Sequence, residues 1–270
     1  MSVALLSDGR LALPTVTLVA VTSAAVAATA RAMAESLRHV AFGEACWCSD
    51  SPPPGDIAGQ VRWVPIERIA SRQDYSAFLL RDLAHHIATE HVLVVQWDGF
   101  VLNPLAWDDA FLNCDYLGAP WAHFADGYDV GNGGFSLRSR RLLEATGQFP
   151  HSGEAEDVAI CRTWRHRLEQ EHGLVFGSTE LARRFAFERT VVPHPTFGFH
   201  GVFNMPQLVG RATFRDMMRT IEPVLMAPNE MRDMFWWALR RLDFVLAWLI
   251  VRRRLARWRS VRPRAQNAQL

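Results

Sequence analysis

Lysine is missing from this 270-residue chain: all 29 basic residues are arginine. Such exclusive use reflects nucleotide bias in the coding sequence, and no function is drawn from it. An excess of one charge is lacking too. The 29 basic residues face 28 acidic ones and leave a net charge of +1, which excludes a general nucleic-acid-binding field. That near-zero sum hides a basic C-terminus. Only four cysteines occur, Cys46, Cys48, Cys114 and Cys161, without the paired C-x-x-C spacing of a structural zinc site. The chain therefore reads as a reduced, cytoplasmic protein. Near the N-terminus Asp8, Gly9 and Arg10 interrupt the apolar sequence, so no cleaved secretion signal is read there.

What is present is apolar: 49% of residues are hydrophobic, enough for one substantial core at the upper end of a single domain. The rest of the chain is organised around residues 91–100, HVLVVQWDGF. Residues 92–95 are apolar without alternation, the pattern of a strand covered on both faces in a mostly parallel sheet. Ligands bind such sheets beyond the carboxyl ends of the strands, where Asp98 would stand. Asp98-Gly99 is also an ordinary turn dipeptide, and the two readings stay open at this point.

Taken in order, residues 15–22 (TVTLVAVT) read as a first buried strand entering after Pro14. Residues 24–40 follow as an Ala-rich helix, 42–48 as a second strand and 61–66 as a third, with a loop at 50–55 marked by Pro52, Pro53 and Pro54. Phe78, Leu79, Leu83 and Ile87 mark an amphipathic helix over 75–89. This alternation predicts a doubly wound βαβ half ending at Asp98. Beyond it, residues 103–109 form a turn leading to a short helix, and 116–121 (YLGAPW) a compact apolar loop.

Residues 131–139 (GNGGFSLRS) are glycine-dense, so backbone can approach a ligand there and amides can face an anion. The Walker ending is absent, and a glycine-rich hairpin explains the same residues. A helix is expected over 152–170, capped by Ser152 or Gly153, with Glu154, Glu156 and Asp157 suiting its dipole. Neighbouring helical residues diverge, so Glu156 and Asp157 cannot both face one site. A further short helix is read over 180–187. His200, between Gly198 and Gly201 in a loop over 193–203, has room for a ligand, although a lone histidine is commonly satisfied by a hydrogen bond.

Together, QWDGFVLNPLAW, DYLGAPW, VGNGGFSLRS, EDV and FGFHG, in that order, resemble the bacterial DUF5672 family, which is similar to glycosyltransferases of the GT-A fold. The resemblance covers residues 15–203 and implies an α/β, GT-A-like, mostly parallel sheet flanked by helices. Residues 14–100 would form the nucleotide-binding half and 101–228 the acceptor half. It implies transfer of a sugar from a nucleotide-sugar donor to a hydroxyl of a glycan or other acceptor, with inversion, in bacterial glycan synthesis. A non-catalytic nucleotide-sugar or glycan-binding module of the same fold is the alternative. The D-x-D signature of GT-A enzymes corresponds here to Gln96-Trp97-Asp98, and only its last acid is kept. By resemblance Asp98 and His200 would hold Mn²⁺ or Mg²⁺. Gln96, Trp97, Asp98, Asn132, Gly133 and Gly134 would meet the donor, with Asp157 as base beside Glu156. Thr22 and Ser23 join the donor site by position alone.

Residues 229–270 read as a separate basic tail. Within it 230–260 contain no glycine or proline and predict one amphipathic helix of roughly 45 Å at about 1.5 Å per residue. Its longest uncharged stretch, 244–251, is far short of the roughly 20 residues that span a bilayer. The apolar side with Trp236, Trp237, Leu246 and Trp248, and the arginines at 252, 253, 254, 257, 259, 262 and 264, suit the surface of an anionic membrane. They equally suit packing on the domain or on a second copy. Nucleic acid is not expected as a partner, and the expected location is the cytoplasm or the inner face of the membrane.

Overall fold

The computed structural model describes residues 5–150, 153–189 and 194–261. The chain divides into two compact units, Met1–Gly201 and Val202–Leu270. Residues 202–228, expected with the acceptor half, thus group with the C-terminal helices.

The first unit is built on a six-stranded sheet. In chain order it has β1 (Leu11–Val21), α1 (Val26–His39), β2 (Val40–Ser49), β3 (Arg62–Pro65), α2 (Arg72–Ala77), β4 (His91–Val95), β5 (Tyr116–Gly118), β6 (Phe135–Ser139) and α3 (Arg140–Thr146). There follow α4 (Glu156–Val158), α5 (Arg165–His172), α6 (Thr179–Phe185) and a small parallel pair, β7 (Ala186–Phe187) and β8 (Gly198–Phe199). Strand order is β3-β2-β1-β4-β6-β5, with β6 antiparallel to both neighbours and the rest running one way. This is the expected α/β architecture, a mostly parallel sheet with helices in the connections.

The unalternating apolar runs have their reason in burial on both faces. Leu18 and Ala20 of β1 and Leu93 and Val95 of β4 pack with Met33 of α1 and Trp47. Val19, Val21, Val92 and Val94 point the other way, onto Phe78, Leu79 and Leu83. Small residues Ala28, Ala30 and Ala32 let α1 lie close to the sheet. All four cysteines are buried and free, and burial pushes the thiols of Cys46 and Cys48 up to about 12.

Several local expectations are corrected. Strand β1 begins before Pro14, and the register with β2 shifts between Leu13 and Thr17, as an irregularity around a residue without an N–H requires. The YLG of the expected apolar loop is strand β5, and the FSLRS of the glycine-rich stretch is β6, buried throughout. The helix expected over 75–89 is three pieces: α2, a π-turn at Phe78–Asp82 and a 3₁₀ turn at Leu83–His86. Ser152 lies outside the described residues, and the later helix starts at Glu156 behind Ala155, with a π-turn at Ala159–Thr163 before α5.

The second unit contains α7 (Met205–Leu208), α8 (Arg211–Thr220), α9 (Pro228–Arg240) and α10 (Phe244–Val261). The single long helix expected over 230–260 is therefore two. Leu242 turns the chain with φ of +55°, and the buried Asp243 caps α10 by accepting from the Leu246 N–H at 3.0 Å. Asp243 also accepts from Arg215 of α8, at 2.8 Å from Nη2. A buried capping carboxylate with a half-buried cationic partner stops a helix without glycine or proline. Asp243→Ala should destabilise the protein by about 2–3 kcal/mol, read from urea unfolding by far-UV circular dichroism.

Candidate functional site

Three segments leave the sheet at one edge. Ala20 pairs with Val95 in parallel and Val95 with Phe135 in antiparallel register. The residues after β1 (Thr22, Ser23), those after β4 (Gln96, Trp97, Asp98) and those before β6 (Asn132, Gly133, Gly134) thus emerge side by side.

At this edge Gly99 N–H closes a turn on the Gln96 carbonyl at 3.1 Å, and the Asp98 carbonyl accepts from Gly201 N–H at 3.0 Å. The second bond ties the strand end to the segment carrying His200. Asp98 Oδ1 is buried without a hydrogen-bond partner among the described residues and lies 3.4 Å from His200 Nε2. On the far side of the imidazole, Nδ1 stands 3.5 Å from Glu188 Oε1, while Glu188 Oε2 accepts from Asn132 Nδ2 at 2.6 Å. Asn132 is held at φ of +62°, a conformation uncommon outside glycine. Burial by itself would lower the His200 pKa, but Asp98 and Glu188 outweigh it and raise it well above the usual histidine range. Burial likewise works to raise Glu188, and His200 holds it below the ordinary carboxylate value.

A second network meets the first at Gly133. Its N–H donates to Asp157 Oδ2 at 3.0 Å, and Asp157 Oδ1 accepts from Val158 N–H at 2.8 Å. The Gly133 carbonyl accepts from Ser136 Oγ at 3.0 Å, and that hydroxyl accepts from Arg138 Nε at 3.0 Å. Arg138, wholly buried, donates from Nη2 to Glu156 Oε1 at 3.0 Å. Ser76 Oγ accepts from Glu156 N–H at 3.2 Å and reaches Glu156 Oε2 at 3.5 Å. Burial, with Asp157 adding, pushes the Glu156 carboxyl up, and Arg138 works against that. The pair of glycines is dictated by close approach. A Cβ on Gly133 would lie 2.1 Å from Glu156 Oε1, and one on Gly134 would lie 2.0 Å from His200 Nε2.

The structure therefore gathers Asp98, Asn132, Gly133, Gly134, Asp157 and His200. Glu156 and Asp157, expected not to face one site, both meet Gly133, Asp157 at its N–H and Glu156 against its Cα, because a residue without a side chain lies between them. Trp97 is buried. Gln96 donates to Tyr75 Oη at 2.9 Å, Thr22 Oγ1 donates to the Ala24 carbonyl, and Ser23 Oγ accepts from Ile69 N–H at 2.9 Å. These three stand at the right edge with their polar groups engaged in the protein. Glu188, Arg138 and Tyr75 are members that sequence reasoning missed; Glu188 and Tyr75 lie outside the motifs, and Arg138, inside VGNGGFSLRS, offered a signal as a charge in an apolar strand.

Among the described residues no group of three His, Cys, Asp or Glu is arranged for a metal ion. A cation here would rest on Asp98 and His200, with other ligands from what it binds. The two candidate ligand atoms, Asp98 Oδ1 and His200 Nε2, face each other at 3.4 Å, and Glu188 at Nδ1 is placed as carboxylates are behind metal-ligating histidines.

Residues 59–200 match the family described as "Protein of unknown function (DUF5672)". No curated protein matches the chain. Among solved structures, a mannosyltransferase from Pyrobaculum calidifontis, in complex with GDP-Man and Mn²⁺, is similar over 95% of this chain and 78% of its own. The identity is 12% and the TM-score 0.42.

Removing one member of the buried pair leaves an uncompensated charge. Arg138→Leu should cost about 3–5 kcal/mol in urea unfolding, and adding Glu156→Gln should recover part of the loss because a neutral amide tolerates burial better.

Proposed function

The chain belongs to the DUF5672 family, and from that premise we propose that it transfers a sugar from a nucleotide donor to a hydroxyl acceptor, with inversion. The observation that carries the reading is the convergence of Asp98, the Asn132, Gly133 and Gly134 loop, Asp157 and His200, from four distant segments, at the carboxyl end of a buried parallel strand. Such strand ends are where α/β sheets bind nucleotides.

In this reading Asp157, held by two backbone N–H groups, accepts the proton of the acceptor hydroxyl. The freed oxygen attacks the anomeric carbon, and the bond to the nucleotide breaks with its electron pair leaving on the diphosphate. General-base assistance of this kind contributes about 10²–10⁴-fold. Glu156 serves as a positioning group: through Arg138 it fixes Gly133, whose amide orients Asp157. The glycine loop lets the donor approach the backbone. Asp98 and His200 would hold Mn²⁺ or Mg²⁺, which takes its other ligands from phosphate oxygens and, when bound, neutralises charge on the diphosphate. Thr22 and Ser23 border the donor site through backbone, since their hydroxyls are engaged.

The test is nucleotide release from a panel of UDP- and GDP-sugars with Mn²⁺ or Mg²⁺. Asp98→Ala and Asp157→Asn should each lower release by about 10²–10⁴-fold. Glu188→Gln should raise the Mn²⁺ concentration needed for half-maximal donor binding by about 10–100-fold, because it loosens the Nδ1 side of His200. One observation favours a second reading, a binding module without chemistry: Gln96 stands where an acid is expected and is bonded to Tyr75. Calorimetric donor binding without release, unaltered in Asp157→Asn, would establish that reading; neither binding nor release would remove both.

A further inference from the structure

Helix α10 is apolar on two sides. Leu246, Leu249 and Ile250 are buried in the second unit. On another side Phe244, Trp248, Val251 and Leu255 recur at spacings of four, three and four residues, which places them along one face. They are 42–64% exposed. Leu242 at the α9–α10 turn and Trp236 of α9 are exposed as well. An exposed apolar stripe of this kind marks an interaction surface.

The charge distribution selects the occupant. Val202–Leu270 carries thirteen arginines and five carboxylates, whereas Met1–Gly201 carries sixteen arginines and twenty-three carboxylates. Within α10 the imbalance is complete: five arginines and no acid. Four of the unit's five acids are engaged away from the arginines of α10, Asp243 with Arg215, Asp216 with Arg219, Asp233 with Arg232, and Glu230 with the Ala227 N–H that starts α9, and the fifth, Glu222, acts on the buried Arg253 rather than on the exposed arginines. Arg252 lies 4.6 Å over the Trp248 ring and Arg241 4.9 Å over Trp237, so cationic and aromatic groups are presented together.

We propose that the second unit docks on an anionic lipid bilayer, with the Phe244, Trp248, Val251 and Leu255 face of α10 lying in the headgroup boundary. The stripe buries its apolar side chains among acyl chains, tryptophan sits at headgroup depth, and Arg252 and Arg254, both exposed, meet lipid phosphates. The helix lies on the bilayer, since no helix among the described residues is long and apolar enough to cross one. A second copy of the chain is a poorer occupant, because a two-fold contact through α10 would set arginine against arginine with no α10 carboxylate between them. Nucleic acid would match the arginines and leave the apolar stripe uncovered.

The test uses the full chain and vesicles of phosphatidylcholine with and without phosphatidylglycerol. The protein should sediment with the mixed vesicles, stay in solution with phosphatidylcholine alone, and be released as salt shortens the Debye length below about 8 Å. Phe244→Glu with Trp248→Glu should lower the vesicle-bound to free ratio by about tenfold or more at low salt, with an unchanged thermal melt because both side chains are exposed. Arg252→Ser with Arg254→Ser should weaken binding and flatten its salt dependence. The proposal is overturned if the protein ignores mixed vesicles, or if the Glu variant binds them as well as the parent. It is equally overturned if the parent is a dimer by sedimentation velocity that the Glu variant dissociates while vesicles go unbound, or if it binds duplex DNA but no vesicle. Nucleotide release is read separately, so this outcome is independent of the proposed transfer.

Discussion

The buried contact between Arg138 and Glu156 sets the arrangement around the candidate site. A guanidinium in the middle of β6 is tolerable only with its hydrogen bonds met, and Glu156, Ser136 and the Gly133 carbonyl meet several of them. One consequence is that the Gly133 carbonyl, in the loop before β6, is held by both Ser136 and Arg138. A second is that Asp157, adjacent to Glu156, is presented to the Gly133 amide from the other side. The ion pair thus couples a strand, a loop and a helix start that are far apart in sequence.

The second electrostatic feature is linear: Asp98, His200, Glu188 and Asn132 follow one another in contact. An imidazole between two carboxylates is held charged despite burial. In the proposed reading the same arrangement, with a carboxylate facing each ring nitrogen, would hold a divalent cation in place of the proton between Asp98 and His200. The proposed donor site and the proposed cation site therefore share a physical origin, an excess of carboxylate gathered at the sheet edge.

The second unit is organised by the opposite charge. Four of its five acids are taken up by capping and pairing, and exposed arginines stand beside an exposed apolar stripe. Asp243 links the two aspects, since the cap that breaks the helix is also what turns Phe244 and Leu242 outward at the bend.

Much of this was legible in the sequence. Unalternating apolar runs determined that β1 and β4 are buried on both faces, and the end of such a run located Asp98 at a sheet edge, because periodicity reports burial directly. Glycines at 133 and 134 announced a close approach, whereas the expectation that Glu156 and Asp157 would not face one site missed that Gly133 comes between them and meets both. What sequence could not determine depends on contacts between distant residues. FSLRS becomes a strand because β4 offers an edge to pair with, and YLG because β6 then offers the next, a tertiary circumstance that overrides local glycine content. Residues 230–260 become two helices because Arg215, from another helix, completes the Asp243 cap. Glu188 joins the site only because β7 and β8 bring it to His200. Local pattern thus determined which segments are buried and where the chain approaches itself closely, whereas the partner each charge finds was decided by the fold, since Coulomb and hydrogen-bond energies act over distances in space that spacing along the chain does not encode.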